Sequence, residues 1–140
     1  MSSLLWPRAK PAFNRSELLP SIKGKVILVT GGTSGLGRQA VLEYARYDPE
    51  KIWLAARNAA AAERTIKEIQ DEAPNASIEF IYLELTLIAS IRKAARIIRL
   101  KLSRLDILML NAGIVAAPPG LTEDGYEIQF ASESNPSLYY

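Results

Sequence analysis

Residues Thr30 to Gly37 read Thr-Gly-Gly-Thr-Ser-Gly-Leu-Gly, four glycines in eight positions, directly after the apolar run Lys25-Val26-Ile27-Leu28-Val29. Glycine loses more backbone freedom on ordering than any other residue and continues neither a strand nor a helix well. After the glycines, Leu36, Ala40, Val41, Tyr44 and Ala45 recur at helical spacing. The order is therefore a buried strand, a tight turn, and a helix from Gly35 to about Tyr47 with one apolar stripe. Such a junction collects unpaired backbone N–H groups and the positive end of the helix dipole at one point, which suits phosphate.

The pattern then repeats in kind. Ile52-Trp53-Leu54-Ala55-Ala56 is a second buried-type strand, and Asn58 is placed to cap a helix with the stripe Ala62, Ile66, Ile69 and Ala73, ended by Pro74. Ser77 to Leu85 holds a third strand, and a third helix carries Ile88, Ile91, Ala95, Ile98 and Leu102. Asp106 to Leu110 is a fourth strand. Strands alternating with helices of this length predict βαβ units, right-handed crossovers and a doubly wound parallel α/β sheet of the Rossmann type. Residues 1–23 hold three prolines without periodicity and read as an irregular arm; 24–131 form the nucleotide-binding domain, and 132–140 a divergent tail.

Within the turn, Gly31 permits the sharp reversal, Gly35 lets backbone approach a pyrophosphate, and Gly37 lets the helix pack close to the strand, with Thr33, Ser34 and Leu36 filling the loop between them. A Walker-type loop is excluded because no Gly-Lys-Ser/Thr follows. The second strand ends in Arg57, where an NAD-binding fold usually presents Asp or Glu to the ribose hydroxyls. A guanidinium there suits the 2′-phosphate of NADP, which its planar fork can hold with two charge-assisted hydrogen bonds. Arg38, near the helix start, could assist but reads first as an ordinary exposed arginine.

Composition narrows the chemistry. The 140 residues contain neither Cys nor His. Disulfides, thiolate metal sites, thiol nucleophiles and imidazole bases are thereby removed, and a reducing, cytoplasmic setting is expected. No metal site is expected. A net charge of +2 gives no general case for nucleic acid, and no stretch approaches a transmembrane span.

Together these segments resemble the short-chain dehydrogenase/reductase family, in particular its retinol-dehydrogenase-like members. The matching stretches are Thr30-Gly31-x-x-x-Gly35-x-Gly37, Leu54-Ala55-Ala56-Arg57-Asn58, Leu83-Glu84-Leu85-Thr86 and Asp106-Ile107-Leu108-Met109-Leu110-Asn111-Ala112-Gly113, in family order over about residues 24 to 131. The resemblance implies a nicotinamide dinucleotide cofactor and an alcohol or carbonyl substrate. It implies that Glu84 stands where the family usually carries an adenine-binding Asp, with Leu85 beside it. It further implies that Asn111, Ala112 and Gly113 lie along the nicotinamide-side ribose and steady the sheet, whose expected strand order is 3-2-1-4.

Past Ala131 the pattern departs. Glu133 stands where the family's active-site Asn would fall, Pro136 would break the helix, and Tyr139-Tyr140 is followed by no Lys. The family's Ser and Tyr-x-x-x-Lys are expected to be absent, so no catalytic residue is assigned, and the chain reads as a truncated, catalytically impaired cofactor half with an incomplete sheet. Its fourth strand would then be an open apolar edge suited to self-association. A non-catalytic NADP-binding or regulatory module pairing through that edge is the alternative. Arg92, Lys93, Arg96, Arg99, Lys101 and Arg104 crowd the third helix and its exit without an acid among them. They read first as a solvated face and, more weakly, as a surface-binding patch.

Overall fold

The computed structural model describes residues 21–114 and 117–133. The expected arm up to residue 20 and the tail beyond Glu133, with Pro136 and Tyr139-Tyr140, lie outside the described residues. Four strands, β1 (Val26–Thr30), β2 (Lys51–Ala56), β3 (Ile78–Tyr82) and β4 (Ile107–Leu110), alternate with helices α1 (Gly35–Ala45), α2 (Ala59–Glu72) and α3 (Ile88–Lys101); α4 (Ile128–Glu133) follows. The strands form one parallel sheet of order β3-β2-β1-β4, as the sequence predicts.

Every residue of β1 is buried, which is why it is a continuous apolar run rather than an alternating one. Its odd-numbered apolar residues Ile27 and Val29 join Ile52, Leu54 and Ile78 under Val41, Leu42 and Ala45 of α1 and Ala62 and Ile69 of α2. On the other face, Val26, Leu28, Trp53, Ala55 and Ile81 lie under Ala94 of α3, with Ile97, Ile98 and Leu102 at the margin. Burial of each such side chain contributes about 1.5–3 kcal/mol.

Three boundaries and two stripes differ from expectation for physical reasons. α1 stops at Ala45, two residues short of Tyr47, because Asp48 takes a positive φ of 50° and its carbonyl accepts the Gly24 amide at 2.9 Å. β3 ends at Tyr82; the Leu83 amide still bonds the Ala56 carbonyl, and the chain then turns into α3. Asp106 precedes β4 and caps the neighbouring strand instead of extending its own. Leu36, expected in the α1 stripe, is 82% exposed because the first helical turn projects beyond the sheet. On α3 the buried seam runs through Ser90, Ile91 and Ala94 rather than Ala95. By contrast Asn58 caps α2 as expected, its Oδ1 accepting the Ala61 amide at 2.9 Å.

At the N-terminal edge of the sheet the Asp106 carboxylate accepts the Val26 amide at 2.8 Å and the Lys25 ammonium at 3.3 Å, and Arg104 Nε lies 3.0 Å away. The Val26 hydrogen bond, then Lys25 and the Arg104 charge, hold this carboxyl below the ordinary carboxylate range despite partial desolvation. Lys51, then Lys101, do the same for Glu79. A carboxyl with a depressed folded pKa stabilises the fold above its unfolded value of about 4 and loses that contribution as pH falls through the folded value. Urea unfolding of the Asp106→Asn protein is therefore expected to show lower stability at neutral pH and a flatter loss of stability below about pH 4; a variant with an unchanged acid limb would remove Asp106 from the account.

Candidate functional site at the carboxyl ends of the strands

All four strands deliver their C-terminal ends to one cavity of about 420 Å³. β1 supplies Thr30 and the turn residues Gly31, Thr33 and Ser34. β2 supplies Ala55 and Ala56, continuing to Arg57, Asn58 and Ala61. The exit of β3 supplies Leu83, Glu84 and Leu85, the exit of β4 supplies Asn111 to Ile114, and Ser132 comes from α4. β1 lies between β2 and β4, where successive connections leave the sheet in opposite directions. In open α/β sheets ligands bind at this switch point.

The turn is built by close approach. Gly31 has φ +68°, and a Cβ there would lie 2.8 Å from Ala112 Cα. Gly37 has no room for a side chain either, because Asn111 Nδ2 and the Gly31 carbonyl occupy the place a Cβ would take. Gly35 has φ +52° with open space beside it. Ser34, the residue before α1, is extended (φ −155°), and its side chain makes no capping bond. Among the described residues the amides of Gly35, Leu36 and Gly37 have no acceptor, so the helix presents its first donors unsatisfied.

Thr30 and Asn111 lock β1 to β4 behind this turn. Thr30, 3% exposed, accepts the amides of Asn111 and Ala112 on its hydroxyl, each at 3.1 Å. Asn111 Nδ2 donates to the carbonyls of Thr30 at 3.2 Å and Gly31 at 3.3 Å. Thr65 of α2 reaches the Thr33 carbonyl at 3.3 Å from the other side.

Of the residues singled out in the sequence, Gly31, Thr33, Ser34, Arg57, Glu84, Leu85, Asn111, Ala112 and Gly113 line the cavity, while Gly35, Leu36 and Gly37 do not. Arg57 is exposed at the rim and has no ion-pair partner among the described residues. Arg38 is different: its guanidinium pairs with Glu68 on α2 at 2.9 Å and does not line the cavity, so it is withdrawn as a second cation. One Glu84 oxygen accepts both the amide (3.0 Å) and the hydroxyl (2.8 Å) of Thr86, and its amide donates to Ser90 Oγ at 2.9 Å. Glu84 thus shapes the turn into α3 as well as the cavity wall.

Sequence reasoning missed Thr30 and Ser132 at this site. Thr30 is legible as the strand's last residue and the opening of the glycine motif, but not as a lock, since its hydroxyl is committed to a partner 81 positions away. Ser132 was assigned to the divergent tail; it sits on α4, 6% exposed, donating to the Ile128 carbonyl at 3.0 Å. A Tyr-x-x-x-Lys spacing does occur, at Tyr47 and Lys51, contrary to the expectation that these residues lack one. It straddles the entry to β2 at the opposite edge of the sheet, and Lys51 is bonded to Glu79 at 2.5 Å, so it cannot serve this cavity.

The fold and site together define a doubly wound dinucleotide-type domain. A family model described as short chain dehydrogenase matches residues 25–133. The chain belongs to the short-chain dehydrogenase/reductase family. It is 40% identical over 112 residues to the short-chain dehydrogenase/reductase drtF of Aspergillus calidoustus, covering 80% of this chain and 35% of that protein. It is 40% identical over 110 residues to human retinol dehydrogenase 13, covering 79% of this chain and 33% of that one. The chain thus spans about a third of the length of these curated relatives. Among solved structures, a Shigella flexneri protein described as a short chain dehydrogenase, complexed with NADP, superposes with TM-score 0.67 at 24% identity over 84% of this chain and 51% of its own. A Burkholderia phymatum short chain dehydrogenase/reductase in complex with NAD gives TM-score 0.59 at 25% identity over 69% and 33%.

Replacing Thr30 by Val keeps the β-branched shape, leaves the half-buried Ala112 amide without its acceptor and the Asn111 amide with only the Met109 carbonyl; unfolding in urea is expected to show a loss of about 1–3 kcal/mol. Gly31→Ala, at positive φ and against Ala112, is expected to cost a similar amount, roughly 1–3 kcal/mol. A Thr30→Val protein as stable as the parent would show that the β1–β4 lock is not energetically significant.

Proposed function

We propose that these residues form the NADP(H)-binding part of an oxidoreductase acting on alcohol or carbonyl substrates, in a cytoplasmic setting. The observation that carries the reading is that one cavity is lined both by Thr33 and Ser34, which lead directly into the unsatisfied first turn of α1, and by the unpaired Arg57 just after β2. Backbone donors at the Gly31–Gly37 turn suit the diphosphate, and Arg57 suits a 2′-phosphate. The wall formed by Leu85 and Glu84 suits an adenine, and Asn111 to Gly113 suit the second ribose. Thr33, Ser34, Gly35, Leu36 and Gly37 complete the turn that contributes its amides.

The bound dinucleotide would supply hydride. The chain's own contribution is to hold and orient it: α1 and the sheet edge fix the diphosphate, and Asn111 keeps the strand ends from separating. Family members represented by the two structures above carry either NADP or NAD, so the preference rests on Arg57. A second reading, a non-catalytic module pairing with another chain, draws support from β4, an edge in the described sheet whose Leu108 and Leu110 are 39% and 46% exposed.

Fluorescence titration with NADPH and NADH tests the main reading. NADPH is expected to bind tighter. Arg57→Ala should weaken NADPH about 10- to 100-fold, the value of one charged hydrogen bond, and leave NADH little changed. Tighter binding of NADH by the parent would overturn the NADP assignment. Absence of binding of either would overturn the cofactor site.

A further inference from the structure

α3 differs from the other two long helices in how its charge is arranged. Its inner seam of Ser90, Ile91 and Ala94 is buried against the sheet. At 100° per residue the side directly opposite that seam is made of Ala89, Arg92, Lys93, Arg96, Arg99 and Leu100, all exposed. No acid or neutral polar residue stands among them. Arg92, Lys93, Arg96 and Arg99 have no ion-pair partner among the described residues, whereas Lys101 and Arg104 are engaged by Glu79 and by Glu50 and Asp106. From Leu85 to Leu105 there is no carboxylate at all. The outer side of α2, by comparison, mixes Glu63, Arg64, Lys67, Glu68 and Asp71, the usual make-up of a face that meets only water. Like charges three and four apart also oppose helix formation, so the arrangement on α3 is unfavourable to the free molecule.

Leu100 adds an independent sign. It is 79% exposed, on the same side as the four cations. An isolated exposed leucine is ordinary, but one framed by unpaired cations on a helix lying flat on a sheet has the make-up of an interfacial helix. There cations meet anionic headgroups and an apolar side chain enters the boundary below them. Nucleic acid fits less well, since the face presents no aromatic ring for base stacking and Leu100 would be left against phosphates.

We propose that the outer face of α3 is a docking surface for an anionic lipid bilayer, with Arg92, Lys93, Arg96 and Arg99 on the headgroups and Leu100 in the interface. The surface is separate from the dinucleotide cavity, and the inference does not depend on that reading.

Sedimentation of the 140-residue protein with phosphatidylcholine vesicles containing about a third phosphatidylserine is expected to show binding that is absent with phosphatidylcholine alone, and lost near 1 M salt, where the screening length falls to ~3 Å. Each cation near such a surface is worth about fivefold in partitioning, so Arg92→Gln with Arg96→Gln should weaken binding roughly 25-fold and the corresponding double Glu variant by several hundredfold. Leu100→Ser should cost about tenfold, and Arg64→Glu with Lys67→Glu on α2 nothing. Circular dichroism melts identify any variant that fails to fold, and the Gln pair, which only removes repulsion within the helix, serves if the Glu pair does. Equal binding to neutral vesicles, unchanged binding by a folded Gln pair, or duplex DNA bound more tightly than the vesicles and indifferent to Leu100→Ser would each overturn the proposal.

Discussion

The cavity exists because two strands 80 residues apart in sequence are tied together at their last residues. Thr30 accepts hydrogen bonds across the β1–β4 boundary on both its oxygens, the hydroxyl taking the Asn111 and Ala112 amides and the carbonyl taking the Asn111 carboxamide. The same carboxamide reaches the Gly31 carbonyl, and Gly37 lies against both. A side chain at Gly37 would push α1 away from this knot, and one at Gly31 would push against Ala112 at the exit of β4. The helix N-terminus would then point past the cavity instead of across it. A buried amide left without an acceptor costs about 1–3 kcal/mol, so the knot makes the turn's shape a property of the folded state rather than a choice made on binding.

β4 needs such a tie more than the other strands do. It contributes four residues, and one of its sides is an edge in the described sheet. Its partner β1 is pinned at the other end by Asp106, whose carboxylate takes the Val26 amide while its own amide donates to the Val26 carbonyl at 2.9 Å. The short ladder from Ile27–Ile107 to Thr30–Leu110 is therefore closed at both ends by side chains. Those closures fix the register that brings Asn111 to Gly113 level with the glycine turn. Leu108 and Leu110 stay exposed on the α3 side because no described element covers that part of the sheet.

The architecture was legible because its signals are local. Each strand is an apolar run short enough to be buried on both faces, and each helix carries its own stripe. The alternation leaves few topologies once right-handed crossovers are required. The glycine turn was legible for the same reason: a positive φ at Gly31 and the absence of space at Gly37 are demands that only one residue type meets. What escaped depends on distant partners. Arg38 reads as an ordinary arginine from its place on α1, but nothing nearby in sequence shows that Glu68, thirty positions on, is its partner. Leu36 falls on the helical stripe by period alone, but the stripe begins only where the sheet lies beneath the helix. Ser132 reaches the cavity by way of α4, whose position follows from the turn at Thr122 to Tyr126 and the Asp124 contact with the Ile88 amide at 2.8 Å. No spacing in the sequence announces that contact.

Charge is arranged differently at the cavity and on α3. At the turn before α1 any attraction for an anion would come from backbone dipoles, which act over a turn of helix and demand close, fixed geometry. A second free guanidinium beside them would bind phosphate without orienting it, and Arg38 is neutralised by Glu68. That leaves Arg57 as the cation lining the cavity among the described residues. On α3 the reverse holds. Four long side chains with no partner can adjust to a surface whose charges are not fixed, and a screening length of about 8–10 Å at physiological salt lets them act together. They do not line the cavity, so the positive charge of α3 and the Arg57 guanidinium belong to separate surfaces.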